Sequence, residues 1–454
     1  MKKILLGTLT LLVISCASEP VNYTLLSGKI ENPNSNTLSI INSSNEKVRE
    51  IAVSDSGVFN DTIFDANGLY RFYDQKEQAT IYLQNGFDLN LTLNTAEFDE
   101  SISYTGEGSA ENNYLVQKFL KNEKNGGVSN LYALDEAEYL KQTQALKKSQ
   151  DSLLQAAKIG DKFKELEQAA IKYSYIFNVM RYEVAHRYFT KNKDFKVSDS
   201  YPNVLENLDM NNEELFKTIP NYKAVVGFNL SSKASANAKR DSISYGLAFI
   251  NEVNSVNNQF IKNSLIKSLA FEVSPMNPDA EKLYQELMKV SSDEKFKETI
   301  TNSYNTLQKL KKGNNSPMFE NYENYAGGAT SLSDLKGKYT YIDVWATWCG
   351  PCKVEIPYLK QIEEDYKDKN IQFVSISIDK LKDRDLWKNM IKEKELGGIQ
   401  LLADKDWQSS FLKSYDIKSI PRFILLDPEG KIVSAAAPRP SDKKLINLLN
   451  GLNI

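Results

Sequence analysis

Residues 339–366 read YTYIDVWATWCGPCKVEIPYLKQIEEDY, and no other stretch constrains the fold as tightly. YIDVW has the β-branched, apolar character of a buried strand, ATW is a turn, and CKVEIPYLKQIEEDY has the spacing of an amphipathic helix. Two more short apolar runs follow, IQFVSISID and RFILLD, with helical segments between the first two strands and before the third. This βα alternation indicates an α/β domain. LLDPEGKIV reads as a hairpin turning at Pro428 and Gly430, and SDKKLINLLNGL as a closing helix capped by Ser441.

The strand–turn–helix unit places Cys349 at a helix N-terminus, where unpaired N–H groups and the helix dipole favour an anion. That lowers the thiol pKa; values for Cys-X-X-Cys pairs run from ~3.5 to ~7. Cys352 lies one turn in, is expected to be the less exposed of the two, and suits a resolving role. Gly350 and Pro351 shape the short ring between them. So short a loop stabilises little as a structural crosslink, so exchange chemistry is the better reading. Half of a zinc site would need four ligands, and the remaining candidates are only His186 and Cys16.

The third cysteine, Cys16, ends MKKILLGTLTLLVISC: two lysines, an apolar core, then small residues, the pattern of an export signal. Val13-Ile14-Ser15-Cys16 resembles a bacterial lipobox, which implies a signal peptide over 1–16 and a lipid on Cys16. The ASEP that follows reads as a polar tether. Without Asp directly after the cysteine, the resemblance implies the outer membrane rather than the inner. With Cys16 acylated, Cys349 and Cys352 are the only thiols left. Losing Lys2 and Lys3 leaves 54 of the 56 basic residues against 59 acidic ones, a mature charge of about −5. That balance, with no basic stripe, argues against a nucleic-acid partner.

At 454 residues the chain exceeds one ordinary core. Residues 21–107 have the pattern of a small antiparallel β domain. In TIYLQNGFDLNLTLN, Asn85-Gly86 between two strand-like runs predicts a hairpin with positive φ at both turn positions. Residues 110–310 read as an all-α segment rich in Lys, Glu, Gln, Ala and Leu. In it Phe163, Leu166, Ala170, Ile171, Ile176, Met180 and Val184 recur at helical spacing. The lone His186 is read as a surface or packed residue. The tyrosine-rich stripe is read as core or interface, with a peptide groove as the alternative. Gly313, two asparagines and Pro317 mark the linker to a domain over 317–454.

DVWATWCGPC resembles the thioredoxin superfamily. CKVEIP and the helical insertion DKLKDRDLWKNMIKEKELGGIQLLAD are closer to its exported TlpA/ResA branch. The resemblance implies a thioredoxin-like domain needing no cofactor beyond the Cys349–Cys352 pair. Cys349 would attack and Cys352 resolve. Asp343 would be the buried acid that assists the resolving thiol, Trp348 the flanking tryptophan, and Pro357 the proline kinking the active-site helix. Pro421 would be a cis-proline facing the dithiol, beside an Ile420 backbone that pairs with substrate. One departure stands out: the lysine that partners the acid in thioredoxin falls at Ser375. Exported relatives often place a glutamate in the insertion instead, and the residue serving here is left open.

The implied protein is a lipid-anchored thiol–disulfide oxidoreductase of the periplasm or cell envelope. It would act on protein thiols and disulfides with electrons from an unidentified donor, and the Gly-Pro spacer favours reductase or isomerase work. A peroxidase of the peroxiredoxin kind would have Thr three residues before the reactive cysteine, where Ala346 stands. The alternative of another class is a binding or scaffold lipoprotein whose N-terminal domains capture a partner, with redox activity secondary.

Overall fold

Alternate burial builds the first two sheets of the computed structural model, which describes residues 21–43, 45–124, 130–452 and 454. The lipobox reading at Cys16 therefore lies outside the described residues. In β1 (Tyr23–Glu31) Thr24, Leu26, Gly28 and Ile30 point inward and the intervening residues do not. With β2 (Thr37–Ile41), β3 (Lys47–Ala52), β4 (Val58–Phe64), β5 (Gly68–Tyr73), β6 (Gln78–Leu83), β7 (Asp88–Asn94) and β8 (Ser103–Gly106) it forms two four-stranded sheets. Their orders are β4-β1-β7-β8 and β3-β2-β5-β6. One buried cluster joins them, with Leu26, Phe59 and Leu91 from the first and Leu38, Phe72 and Ile81 from the second.

The expected hairpin at Asn85-Gly86 is not formed. Phe87 N–H closes a turn on the Gln84 carbonyl at 3.0 Å, but only Gly86 has a positive φ, 95°. Without the primed geometry that matches strand twist, the flanking strands splay apart. β6 pairs with β5 in one sheet, while β7 pairs with β8 and, in parallel, with β1 in the other.

The two sheet edges that this leaves are covered from one point. Asn112 and Asn113, in the first turns of the helix Ser109–Lys124, each satisfy a strand backbone in both directions. Asn112 accepts from Tyr82 N and donates to Tyr82 O on β6 (2.8 and 2.9 Å), and Asn113 does the same for Tyr104 on β8 (2.9 and 2.8 Å). Side-chain amides thus stand in for the missing neighbour strands.

The helix Asp161–Thr190 buries Phe163, Ile171, Val179, Tyr182 and His186. Val184, expected on that face, is exposed. The face drifts because the second half is built on stacked rings: Tyr139, Tyr182 and Tyr201 lie parallel, each hydroxyl donating to a backbone carbonyl. His186 is packed, with Nδ1 2.9 Å from the Tyr132 carbonyl. Of the tyrosine stripe, Tyr173 and Tyr182 are core, while Tyr188 is exposed.

The chain divides into two compact units at Asn229–Leu230, within the helix Pro220–Asp241. The second unit opens with further helices, including Tyr245–Val253, Ala280–Val290 and Glu294–Lys309. Its sheet comprises β9 (Tyr322–Asn324), β10 (Ala329–Thr330), β11 (Tyr339–Trp345), β12 (Ile371–Ser377), β13 (Ile399–Leu402), β14 (Arg422–Leu426) and β15 (Ile432–Ser434), in the order β10-β9-β13-β12-β11-β14-β15. β11 is central, parallel to β12 and antiparallel to β14. One face packs Ile342, Val344 and Ile424 with Trp387 and Ile391 of the insertion helix Arg384–Lys394. The other packs Tyr341, Phe373 and Phe423 against Leu359 and Ile362 of the helix Gly350–Asp365 and Leu445 of the helix Lys443–Asn450. The closing helix is capped by Asp442, not Ser441: Asp442 accepts from Lys444 N at 2.9 Å, while Ser441 is drawn away to Glu355.

Removing the Asn112 amide leaves Tyr82 N–H and C=O enclosed without partners, a penalty of about 1–3 kcal/mol. Asn112→Ala is expected to lower hydrogen-exchange protection of the Tyr82 amide by roughly 10- to 100-fold. Asn113→Ala should do so for Tyr104 instead; equal protection of Tyr82 in wild type and Asn112→Ala would refute the edge-covering role.

Candidate active site

Strand β11 ends at Trp345, and the next residues turn sharply into the helix. Asp379, buried just beyond β12, holds that turn: its carboxylate accepts from Thr347 N (2.9 Å), Thr347 Oγ1 (2.7 Å) and Ser377 Oγ (2.7 Å). The helix Gly350–Asp365 then begins with Cys349 as its N-cap, Cys352 N–H donating to Cys349 Sγ at 3.1 Å. Pro351 sits in the first turn, where its missing N–H costs nothing. Cys349 and Cys352 are joined by a disulfide. Both are 4% exposed, so the expected difference between them is not seen. The ring and the helix start enclose both sulfurs alike.

Around them, Gly350 and Trp348 are exposed, Trp348 with its ring 6.3 Å from that of Trp407. Val354 and Tyr358 on the same helix are exposed as well, and Pro357 lies in the helix interior. The Ile420–Pro421 peptide bond is cis. Ile420 packs against the cluster that contains both cysteines. The structure thus gathers Cys349, Gly350, Pro351 and Cys352 at one helix start, with the Ile420–Pro421 loop against the same core.

Beneath the disulfide lies an acidic arrangement. Asp343 on β11 stands opposite Ser375 on β12, so a serine occupies the place the resemblance gives to lysine. Its Oδ1 is enclosed with no hydrogen-bond partner. Burial, then Glu355 and Glu363, raise this carboxyl to about 8. A cavity of about 10 Å3 is lined by Asp343, Cys352, Ser375 and Glu363 among others. Burial raises Glu363 to about 7, opposed by Lys360. Its carboxylate lies against Gly397 and Gly398, where any side chain would collide with it.

No glutamate of the insertion is among the groups acting on Asp343; both that do so come from the active-site helix. Cys352, Glu355, Leu359 and Glu363 fall at i, i+3, i+7 and i+11, one helical face, which was the signal available in the sequence. Glu355, itself buried, accepts from Ser441 N and Oγ (both 3.0 Å) and lies 3.8 Å from Arg439. Asp379 carried no sequence signal, because its partner Thr347 is 32 residues away.

An N-capping half-cystine on a strand–turn–helix unit, above a half-buried acid and beside a cis-proline loop, defines a thioredoxin-like thiol–disulfide oxidoreductase domain. Residues 311–449 match the redoxin family. The chain is 28% identical to the thiol–disulfide oxidoreductase ResA of Bacillus subtilis over 143 residues, 32% of this chain and 76% of that protein. It is 29% identical to ResA of Bacillus cereus over 126 residues, 28% of this chain and 69% of that protein. Among solved structures, the thioredoxin domain of a thiol–disulfide oxidoreductase from Bacteroides vulgatus is 34% identical, covering 32% of this chain and 99% of that one, with a TM-score of 0.29. This protein is a thiol–disulfide oxidoreductase with a redoxin domain homologous to those of the ResA/TlpA type.

Because folding holds the proton on Asp343 up to about pH 8 while an unfolded aspartate releases it near 4, unfolding releases a proton between those values. Stability contributed by this group therefore falls as pH rises through that window. Asp343→Asn cannot ionise and is expected to be stabilised relative to wild type by roughly 2 kcal/mol or more at pH 8.5, and far less near pH 4. Thermal unfolding across pH checks this; a difference independent of pH would contradict it.

Proposed function

We propose that Cys349 is the attacking and Cys352 the resolving cysteine of a disulfide reductase or isomerase acting on proteins of the cell envelope. The observation that carries this reading is the Cys349–Cys352 disulfide at a helix start, with the Cys352 N–H directed at Cys349 Sγ. The same N–H and the helix dipole favour the Cys349 thiolate once the pair is reduced.

The thiolate attacks one sulfur of a substrate disulfide, forming a mixed disulfide and expelling the other substrate sulfur as a thiolate. Cys352 then loses its proton and attacks Cys349 Sγ, so the second substrate sulfur departs. Two electrons pass to the substrate and the pair ends oxidised, to be reduced again by an external dithiol donor. Asp343 borders the same small cavity as Cys352, and with its proton affinity raised by burial toward that of a thiol its ionised form is suited to accept the Cys352 proton. The Ile420 backbone beside the cis bond and the exposed Trp348 frame the approach of the substrate chain.

The envelope location rests on the N-terminal sequence: a signal peptide over 1–16 and lipid on Cys16 would tether the redox domain to a membrane, with residues 21–107 and 110–310 as intervening modules. Among the described residues no helix is long and apolar enough to cross a membrane.

Cysteine-dependent reduction of insulin by dithiothreitol tests the exchange step: Cys349→Ser is expected to lower turnover at least about 100-fold, and Cys352→Ser to accumulate covalent adducts that excess dithiothreitol releases. Adducts forming equally on Cys349→Ser would sink the assignment. For the anchor, radiolabelled palmitate should enter the wild-type chain in bacteria and not Cys16→Ser; equal incorporation rules out Cys16 as the lipid site.

A further inference from the structure

Next to the cis-proline loop the second unit holds a cavity of about 340 Å3 that the exchange chemistry leaves unexplained. One wall is Asp416, Lys418 and Ser419 before the cis bond and Arg422 just after it; the other includes Phe271, Met276 and Asn277. Arg422, the first residue of β14, is 3% exposed. Its Nε is enclosed with no hydrogen-bond partner, and so is Nδ2 of Asn277 on the facing wall. Two donors lining one cavity, one on a cation, both lack an acceptor, which is costly for groups taken out of water.

Two anions, Asp416 and Glu272, line the same cavity, and each has a hydrogen-bond partner other than Arg422. Asp416 pairs with Lys418 at 2.9 Å, and Glu272 accepts from the Gly246 backbone N–H at the start of the helix Tyr245–Val253. Burial lowers Arg422 to about 10 despite Asp416 and Tyr415, as expected for a guanidinium short of counter-charge. A planar carboxylate, of opposite charge, matches the forked guanidinium.

Location decides what carries that carboxylate. Arg422 lies two residues from Ile420, which packs on the cluster holding both cysteines, so no more than ~7 Å of backbone separates them. Phe271 and Met276 are 63% and 56% exposed at the rim, adaptable apolar surface suited to an extended chain. We propose that this cavity binds the carboxylate of a Glu or Asp side chain in the substrate polypeptide, with Arg422 as its forked donor and Asn277 as the second. The proposal rests on the exchange reading and adds a preference for acidic residues at one register from the substrate cysteine.

The test uses the full chain with dithiothreitol and neutral synthetic peptides containing an internal disulfide, in which one Glu, or Gln in its place, is scanned along the flanking positions. At one register wild type is expected to show a kcat/KM about tenfold higher for Glu than for Gln, mainly through KM. Arg422→Gln should bring that ratio to about one, and Asn277→Ala should reduce it several-fold. Should Arg422→Gln not fold, by near-UV circular dichroism, Asn277→Ala decides. Equal rates at every register, or a ratio that survives substitution, overturn the inference while leaving the exchange reading intact. Absent turnover, or turnover that survives Cys349→Ser, overturns both. If the peptides do not differ but sodium acetate raises the Tm of wild type and not of Arg422→Gln, the cavity takes a free carboxylate and the polypeptide assignment falls.

Discussion

The Asp379 carboxylate and the Thr347 turn are the contact on which the redox site depends. β11 ends at Trp345, and the bonds from Thr347 to Asp379, together with Cys349 N–H donating to the Ala346 carbonyl at 3.0 Å, hold the turn so that Cys349 caps the next helix. The capping N–H and the helix dipole then act on one sulfur, and the chemistry follows from that placement. Asp379 is held in turn by Ser377 from its own strand end. A buried carboxylate that accepts from three donors is satisfied where it is.

Asp343 is in the opposite situation, one oxygen enclosed with nothing to accept from. Burial disfavours its charged form, Glu355 and Glu363 add negative charge, and Ser375 gives it no cation, so the proton is held to about pH 8. Acids well separated in the chain thus have different surroundings: Asp379 is bonded to the Thr347 turn, Glu355 to Ser441, and Asp343 borders the same small cavity as Cys352. Environment separates them, since each is a carboxyl of ordinary intrinsic pKa.

Arg422 extends the same logic to cations. A guanidinium with an enclosed, unpartnered Nε beside the cis bond is as much an unmet demand as Asp343, and Arg422 is among the residues that line the cavity of about 340 Å3. Such unmet polar groups are stored where a partner arrives during function.

The α/β character of the C-terminal region, the helix start at Cys349 and the helical character before the linker were legible because each depends on local periodicity and on neighbours within a turn or two. The Asn85-Gly86 hairpin and the Ser441 cap failed for one reason: a local signal competed with a distant partner. Asn85-Gly86 does turn the chain, yet β7 finds more to pair with in β1, more than 50 residues earlier, and Ser441 is claimed by Glu355, 86 residues away. Asp379 and the Asn277–Arg422 cavity were invisible for the same cause, since each draws its meaning from side chains brought together across the fold. The sequence by itself determined the reaction type, because a dithiol at a helix N-terminus is a local fact. Only the tertiary structure decided which acids hold protons and which cation lacks a partner, because burial and charge at a point sum over residues far apart in the chain.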